Sequence, residues 1–229
     1  MRIGIITGMA EEAAAFMAQT PGALVSSHGF SGRTLICGGH EVTIIHAGIG
    51  KVNAATAASL LALHYQAELL MIIGTAGKLS ATPGDCFLVT EAVQGDYGAS
   101  HDSGFVHFTA GSVPIGASAV VPFVAAAMPD TGLPRARIVS GDCFVASGTH
   151  AARLRGELGG DLVDMETAAL AQMAARLGLP WAAIKATTDD ANGESSGDFR
   201  ANLARAAAKA AGAAEAMIGL LPEESSHPV

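Results

Sequence analysis

Positive charge is scarce in this sequence. Its 229 residues include 13 lysines and arginines against 21 aspartates and glutamates, which gives a formal net charge of -8. The basic residues form neither a run nor a stripe of the kind that neutralises phosphates along a nucleic-acid duplex. We therefore expect no nucleic-acid partner.

Cysteines are equally few. Cys37, Cys86 and Cys143 are widely spaced and form no CxxC pair, so the sequence predicts neither a disulfide framework nor a zinc site. We expect all three to be core residues in a reducing compartment. The histidines and cysteines show no metal-ligand spacing, and no metal or organic cofactor is implied.

Long apolar runs are also missing. Lys209 and Glu215 interrupt even the Ala-rich C-terminal segment, so no stretch approaches the length that spans a bilayer. Residues 1–7 lack the longer apolar region and cleavage site of a signal peptide. The expectation is a cytoplasmic protein without membrane contact.

What the sequence does contain is an alternation of strand-like and helix-like segments, which predicts an α/β layered fold. We expect one domain over residues 1–221 and a flexible tail over 222–229. Residues 95–116 show no clear periodicity and are predicted to be a long loop. Predicted strands cover 2–7, two segments around Gly38-Gly39, 69–77, 86–93, part of 134–149, and 181–186; predicted helices cover 11–20, 48–65, 164–178 and 198–221.

Ligands of open α/β sheets gather where strands end, which selects four loops here: residues 7–12, 47–51, 74–78 and 187–192. The second loop, AGIGK, has neither the Walker pattern nor a third glycine for a dinucleotide turn, so ATPase and Rossmann dehydrogenase are not supported. Its glycines also fit a simpler interpretation, in which they let a helix approach a strand.

Carboxylates stand in two of these loops and at the start of the predicted helix over 164–178. Asp189 follows a strand and would face a crevice, although Asp189 and Asp190 together also fit a solvated turn. Glu12, Asp164 and Glu166 precede or open helices, where acidic residues commonly complement the helix dipole. Taken singly, none of these residues identifies a function.

Taken together, the motifs identify a family. The segments GIITGMAEE, HAGIGKVNAA, IIGTAGKLS followed by PGD, VSGDCFVAS and VDMETAALAQMAARLGLPWAAIKATTDDAN occur in the order typical of the nucleoside phosphorylase and nucleosidase superfamily. Across nearly its whole length the chain most resembles 5'-methylthioadenosine/S-adenosylhomocysteine nucleosidases. The resemblance implies a single-domain three-layer α/β fold with a central mixed β-sheet flanked by helices. It also implies hydrolysis of the N-glycosidic bond of both nucleosides, with release of adenine and the 5'-thio-substituted ribose.

The resemblance also assigns site residues. Asp189 matches the catalytic aspartate that bonds to or protonates N7 of the adenine, and Glu12 matches the residue that holds and deprotonates the attacking water. Met165 and Glu166 match the pair at the ribose. The other matches are substrate-binding: Phe144 and Val145 at the adenine, Ile49 in the 5' pocket, Thr75 near ribose and water, and Ala76, Gly77 and Thr188 beside them.

These residue types suit the chemistry. Cleavage builds positive charge on the sugar and negative charge on the base, so the site needs anions near the former and a proton donor at the latter. Glu166 must be ionised to hold the ribose hydroxyls, which predicts polar surroundings for it.

Alternatives to this hydrolase remain. A phosphorylase would place a cation in the first loop, which here carries Glu11 and Glu12 instead, but Lys78 replaces a glycine common in the family and either supplies that charge or points to solvent. Ala10 and Asn192 depart from the nucleosidase pattern, which leaves room for another adenosine derivative. A binding protein without activity is disfavoured by the three carboxylates.

Three histidines and the binding partners are also subjects of prediction. His101 and His107 belong either to a substrate pocket or, as we expect, to the surface, and His46 is expected to be structural. By resemblance, the partners are a purine nucleoside and a second copy of the chain, in a homodimer whose subunits lend apolar residues to each other's 5' pockets.

Overall fold

The computed structural model describes residues 1–18 and 22–222. Within them the strands are β1 (Arg2–Thr7), β2 (Ala23–Ser27), β3 (Phe30–Cys37), β4 (His40–His46), β5 (Leu69–Lys78), β6 (Cys86–Gln94), β7 (Gly98–His101), β8 (Gly104–His107), β9 (Phe123–Val124), β10 (Arg135–Ser140), β11 (Leu162–Asp164) and β12 (Trp181–Asp189). The helices are α1 (Ala10–Met17), α2 (Lys51–Leu63), α3 (Gly148–Leu158), α4 (Thr167–Leu177) and α5 (Ser195–Ile218).

One mixed sheet organises the molecule. Its strand order is β11-β10-β6-β12-β5-β1-β4-β3-β2, with β9 paired to β6. β1 lies parallel between β4 and β5, while β12 is parallel to β5 and antiparallel to β6. β11 pairs with both β10 and β5, so this part of the sheet closes on itself.

Helices cover both faces of the sheet. Along β5, Leu70 and Ile72 pack toward α2 and α4, whereas Met71 and Ile73 pack toward α1 and α5. Because successive side chains of a strand point to opposite faces, a continuously apolar strand is buried on both sides. Small alanines on the inner faces of α2 and α5 let the helices lie close to the sheet. The predicted three-layer α/β fold with a central mixed sheet is confirmed.

Most predicted elements are present at the expected places. The segments around Gly38-Gly39 form the β3–β4 hairpin. α4 ends before Gly178, whose positive φ of 67° closes the helix in the left-handed conformation that glycine adopts without a steric penalty. The long C-terminal helix begins at Ser195, three residues earlier than predicted, and ends at Ile218.

Several predictions were wrong or incomplete. Residues 95–116 are not a plain loop, because β7 and β8 form a separate antiparallel pair too short to give a periodic pattern. Residues 187–189 are strand rather than loop, and β5 extends one residue beyond its predicted end to Lys78, since β5 and β12 pair with each other to Gly77 and Asp189. β2, β9, α3 and β11 were not anticipated. The predicted tail lies outside the described residues except for Pro222.

The cysteine prediction was only partly right. Cys86 is buried in β6, but Cys37 is half-buried and Cys143 is exposed. Cys143 follows β10 in an irregular segment, where no second layer covers it. No helix in the described part of the chain is long and apolar enough to cross a membrane.

Candidate active site

A cavity opens where β1, β5 and β12 end and where α1 and α4 begin. Ten of the eleven predicted site residues line it: Glu12, Ile49, Thr75, Ala76, Gly77, Phe144, Met165, Glu166, Thr188 and Asp189. Val145 is buried and instead lines a smaller adjoining cavity that shares Phe144, Met165 and Asp189 with the larger one. The fold therefore brings together residues that are far apart in the sequence.

Glu12 is fixed at the floor of the cavity. It is the third residue of α1, and its Oε2 accepts hydrogen bonds from the backbone N–H groups of Gly8 and Met9, at 3.1 and 3.0 Å. Its Oε1 accepts from the backbone N–H and the hydroxyl of Thr75, at 2.7 and 2.9 Å. The first two bonds satisfy donors that the start of a helix leaves free. Four donors hold this carboxylate in one orientation.

Glu166 also lines the cavity, at the N-terminus of α4. Its Oε1 accepts from the Gly50 N–H at 2.9 Å and its Oε2 from the Met165 N–H at 3.3 Å. A carboxylate has about four lone-pair sites, so two protein donors leave room for two further hydrogen bonds. These open positions suit a vicinal diol.

The surroundings of Glu166 are less polar than predicted. Burial, and after it the nearby Asp164 carboxylate, raises the pKa of Glu166 to about 7, although the Lys185 ammonium and the Gly50 N–H act in the opposite direction. The expectation of a polar environment was wrong because Glu166 is only 7% exposed. The residue therefore changes its charge near neutral pH.

A buried ion pair, which the sequence analysis missed, supports this side of the cavity. The Lys185 Nζ of β12 lies 2.9 Å from Asp164 Oδ2, and both side chains are almost fully buried. Burial by itself lowers the pKa of Lys185, but the carboxylates of Asp164, Glu166 and Glu12 outweigh it and raise the pKa. Thr167 and Ser140 also donate to Asp164. A lysine inside the apolar run WAAIKA was the available signal.

The two adjacent aspartates have different environments. Asp189 is buried at the end of β12 and lines the cavity, whereas Asp190 is exposed. Asp189 Oδ2 accepts from the Thr188 hydroxyl at 2.8 Å, and Oδ1 accepts from the Ala191 N–H at 2.9 Å. Each oxygen keeps a free lone-pair direction. Asp189 alone can meet a ligand in the cavity.

Aromatic rings form the rim. Phe144 and Phe199 meet edge to face with ring centroids 5.8 Å apart, and both line the cavity. Phe199 was not predicted, although an isolated aromatic near the start of an Ala-rich helix was a usable signal. Phe144 and Ile49 are 45% and 52% exposed, so this side of the cavity is open.

Other side chains considered in the sequence lie outside the cavity. Lys78 Nζ donates to the Gly84 carbonyl at 2.9 Å and lies over the Phe87 ring. His107 is buried rather than on the surface, with Nδ1 3.1 Å from Glu157 and Nε2 3.0 Å from the Gly95 carbonyl. His101 is exposed. The described residues contain no group of three or more His, Cys, Asp or Glu side chains placed to hold a metal ion.

Comparison with known proteins agrees with this geometry. The family model of the phosphorylase superfamily matches residues 2–219, so the chain belongs to that superfamily. Its relatives point to one branch. The 5'-methylthioadenosine/S-adenosylhomocysteine nucleosidase of Mycobacterium bovis is 29% identical, with 80% of this chain and 82% of the relative covered. The protein of the same name from Baumannia cicadellinicola is 32% identical, with 72% and 75% covered.

A solved structure extends the likeness to the fold. The 5'-methylthioadenosine/S-adenosylhomocysteine nucleosidase of S. pneumoniae, bound to the transition-state inhibitor MT-ImmA, superposes with a TM-score of 0.84. Its sequence identity is 26%, and the match covers 97% of this chain and 100% of that one. The family recognised in the sequence is confirmed.

Proposed function

We propose that this chain hydrolyses the N-glycosidic bond of 5'-methylthioadenosine and S-adenosylhomocysteine, releasing adenine and the 5'-thio-substituted ribose. The observation that carries the proposal is the placement of three separate carboxylates, Glu12, Glu166 and Asp189, around one cavity. The names of the relatives supply the substrates. The cavity supplies groups for each part of such a molecule.

Asp189 is the group at the base. Adenine leaves with developing negative charge, which a hydrogen bond or proton delivered at N7 neutralises. The Thr188 hydroxyl and the Ala191 N–H hold the carboxyl group from behind, so the remaining position on each oxygen, one of which carries the proton in the acid form that donates to N7, faces the cavity. Thr188 thereby contributes by orienting Asp189.

Glu166 and Met165 are the groups at the ribose. Glu166 accepts hydrogen bonds from the 2' and 3' hydroxyls at its two open positions, and its negative charge stabilises the cation that forms on the sugar. Met165 packs beside the ring. Because the pKa of Glu166 is about 7, this binding strengthens as pH rises through neutrality.

Glu12 and Thr75 are the groups at the water. The four protein donors occupy the lone-pair sites of the Glu12 carboxylate. A water reaches it by replacing the Thr75 hydroxyl, which can rotate, and then passes a proton to Glu12 as it attacks the sugar. The Thr75 N–H keeps the carboxylate in place during the exchange.

The remaining residues shape the pocket. Phe144 stacks on the adenine, Val145 presents backbone groups to its edge, and Ile49 contacts the 5' substituent. Ala76 and Gly77 form the wall between base and ribose. Gly77 has no side chain here, and a Cβ atom would lie 3.2 Å from Asp189 Oδ1.

Water rather than phosphate is the nucleophile. None of the side chains lining the cavity in the described structure belongs to a lysine or arginine, and Lys185 behind it is paired with Asp164. Lys78, the cation that kept a phosphorylase in consideration, donates to the Gly84 carbonyl outside the cavity. Two carboxylates near the attack position repel a phosphate ion.

The protein acts as a cytoplasmic homodimer in this proposal. Large apolar side chains are exposed beside the open rim and on α2 and the 113–124 segment, among them Ile49, Val52, Val113, Ile115 and Val121, and such surfaces favour a partner. Sedimentation equilibrium is expected to give twice the 23.0 kDa chain mass. A monomer at all concentrations tested contradicts the dimer.

Replacing Asp189 by Asn tests the site directly. Asn donates no acid proton, so kcat for adenine release from 5'-methylthioadenosine is expected to fall about 10²- to 10⁴-fold. Asp190→Asn, one position along and exposed, is the matched control and should keep full activity. Near wild-type turnover by Asp189→Asn, with an unchanged melting temperature, rules out the assignment.

A further inference from the structure

Lys51, the first residue of α2, joins three segments around the site without lining the cavity. Its Nζ donates to Asp96 Oδ1 at 2.6 Å and to Gln94 Oε1 at 3.1 Å, and its backbone N–H donates to Asp142 Oδ1 at 2.8 Å. The Asp142 N–H in turn donates to Asp96 Oδ2 at 2.9 Å. Lys51, Asp96 and Asp142 thus form a closed ring of hydrogen bonds, which we call the Lys51 network.

Charge explains why a lysine completes this ring. Asp96 follows β6 and Asp142 follows β10, so two carboxylates approach each other where parallel strands end. The two carboxylates repel each other. The Lys51 ammonium and the backbone N–H groups of Lys51 and Asp142 offset that repulsion. The Lys51 side chain is 20% exposed, so solvent screens this attraction only in part.

Lys51 and Asp142 are each close in sequence to a group of the site. The residue before Lys51 is Gly50, whose N–H donates to Glu166 Oε1. Two residues beyond Asp142 is Phe144 on the rim. Gln94, also bonded to Lys51, donates to Gln172 of α4 at 2.6 Å, and Glu166 is the N-cap residue of α4. The ribose side and the base side of the cavity are therefore tied through one ammonium group.

We propose that the Lys51 network is a positioning unit that fixes Glu166 relative to the adenine-facing segment, so that ribose and base are held in register. The inference rests on the function proposed above and adds residues that contact neither the substrate nor the attacking water. Small displacements of a bound substrate reduce rates steeply. Loosening this network should therefore reduce catalysis while the fold persists.

The test is a double-mutant cycle on adenine release from 5'-methylthioadenosine. Lys51→Met alone is expected to lower kcat/KM about 10- to 100-fold. If Lys51 acts through Glu166, the same change in a Glu166→Gln background costs clearly less, because the interaction is already lost. A purely structural lysine gives the same factor in both backgrounds, which overturns the proposal.

A modified substrate can replace the Glu166→Gln mutation in this cycle. With 5'-methylthio-2'-deoxyadenosine, which lacks a hydroxyl for Glu166, the penalty of Lys51→Met is expected to shrink. An equal penalty on both substrates contradicts the inference. If Lys51→Met does not fold, Asp96→Asn is used instead. Asp96 accepts hydrogen bonds at both oxygens, and the asparagine amide places N–H groups toward one of these donors.

The matched control is Lys209→Met on α5. Lys209 also forms an ion pair, with Asp85, but lies away from the cavity, so its loss should leave kcat/KM unchanged. Absence of adenine release by the unmodified protein contradicts the proposed function itself. An active protein with additive mutations contradicts only the role of the Lys51 network.

Discussion

At the scale of single residues, three carboxylates of the same chemical type have different capacities because their partners differ. Glu12 receives four protein donors, whereas Glu166 and Asp189 each receive two, one at each oxygen. Open lone-pair positions decide which of them can bind hydroxyl groups. The sequence supplies the acids, but only the fold supplies these partners.

The raised pKa of Glu166 predicts a pH-dependent stability. The folded protein keeps this proton up to a pKa of about 7, whereas the unfolded chain loses it near the ordinary value of 4.5. Between pH values of about 4.5 and 7 the folded state binds more protons than the unfolded chain. The stability that protonated Glu166 contributes is therefore lost as pH rises through about 7. The loss is on the order of 3 kcal/mol.

The substitution Glu166→Gln removes this pH-dependent loss of stability, because glutamine does not ionise. Its melting temperature, relative to the unmodified protein, is expected to be higher at about pH 8 than at about pH 5, while its activity falls. The exposed Glu11→Gln is the control and should show no such trend. A difference between Glu166→Gln and the parent that is the same at both pH values refutes the burial argument.

Most of the residues that line the cavity were predicted by motif, and the omissions have a physical cause. Lys185 was passed over because its value as a buried cation depends on Asp164, 21 positions earlier in the chain. Phe199 was missed because it meets Phe144 only after α5 folds back. Contacts between distant segments are not encoded locally.

At the scale of secondary structure, β5 forms the floor of the site. Gly74 lies in the middle of this strand with φ of 154°, and a Cβ atom there would lie only 2.5 Å from Glu12 Oε1. Real Cβ atoms do not approach an oxygen so closely. Glycine at this position lets the Glu12 carboxylate lie against the strand and accept from Thr75.

Gly74→Ala therefore predicts a loss of function from one methyl group. The side chain of Glu12 must move, and kcat/KM is expected to fall about 100-fold, as for other small displacements of a catalytic group. Gly212→Ala in α5, where the added methyl meets no neighbour, should retain activity and gain roughly 0.5–1 kcal/mol of stability. Activity of Gly74→Ala equal to that of Gly212→Ala argues against the role of Glu12.

Elements with a long apolar pattern were predicted from the sequence. Short strands that form only by pairing with distant strands were missed. β1 and α4 carry clear apolar patterns, and both were found. β11 spans three residues and exists because it pairs with β10 and β5. α3, which directly follows the VSGDCFVAS motif, was also overlooked. Local pattern gives no signal for strands that are stabilised only by distant partners.

At the scale of the whole molecule, the fold places one cavity at a shared strand edge and lines it with acids rather than bases. The parallel strands β1, β5 and β12 end together there, and α1 and α4 present their N-termini to it. Helix N-termini carry partial positive charge, which helps hold the carboxylates of Glu12 and Glu166.

The most direct measurement is adenine release from 5'-methylthioadenosine with and without inorganic phosphate, together with identification of the sugar product. A hydrolase releases adenine at the same rate in both conditions and yields free methylthioribose. Release that requires phosphate and yields methylthioribose 1-phosphate contradicts the account, because it assigns the attack position to an anion that Glu12 and Glu166 should repel.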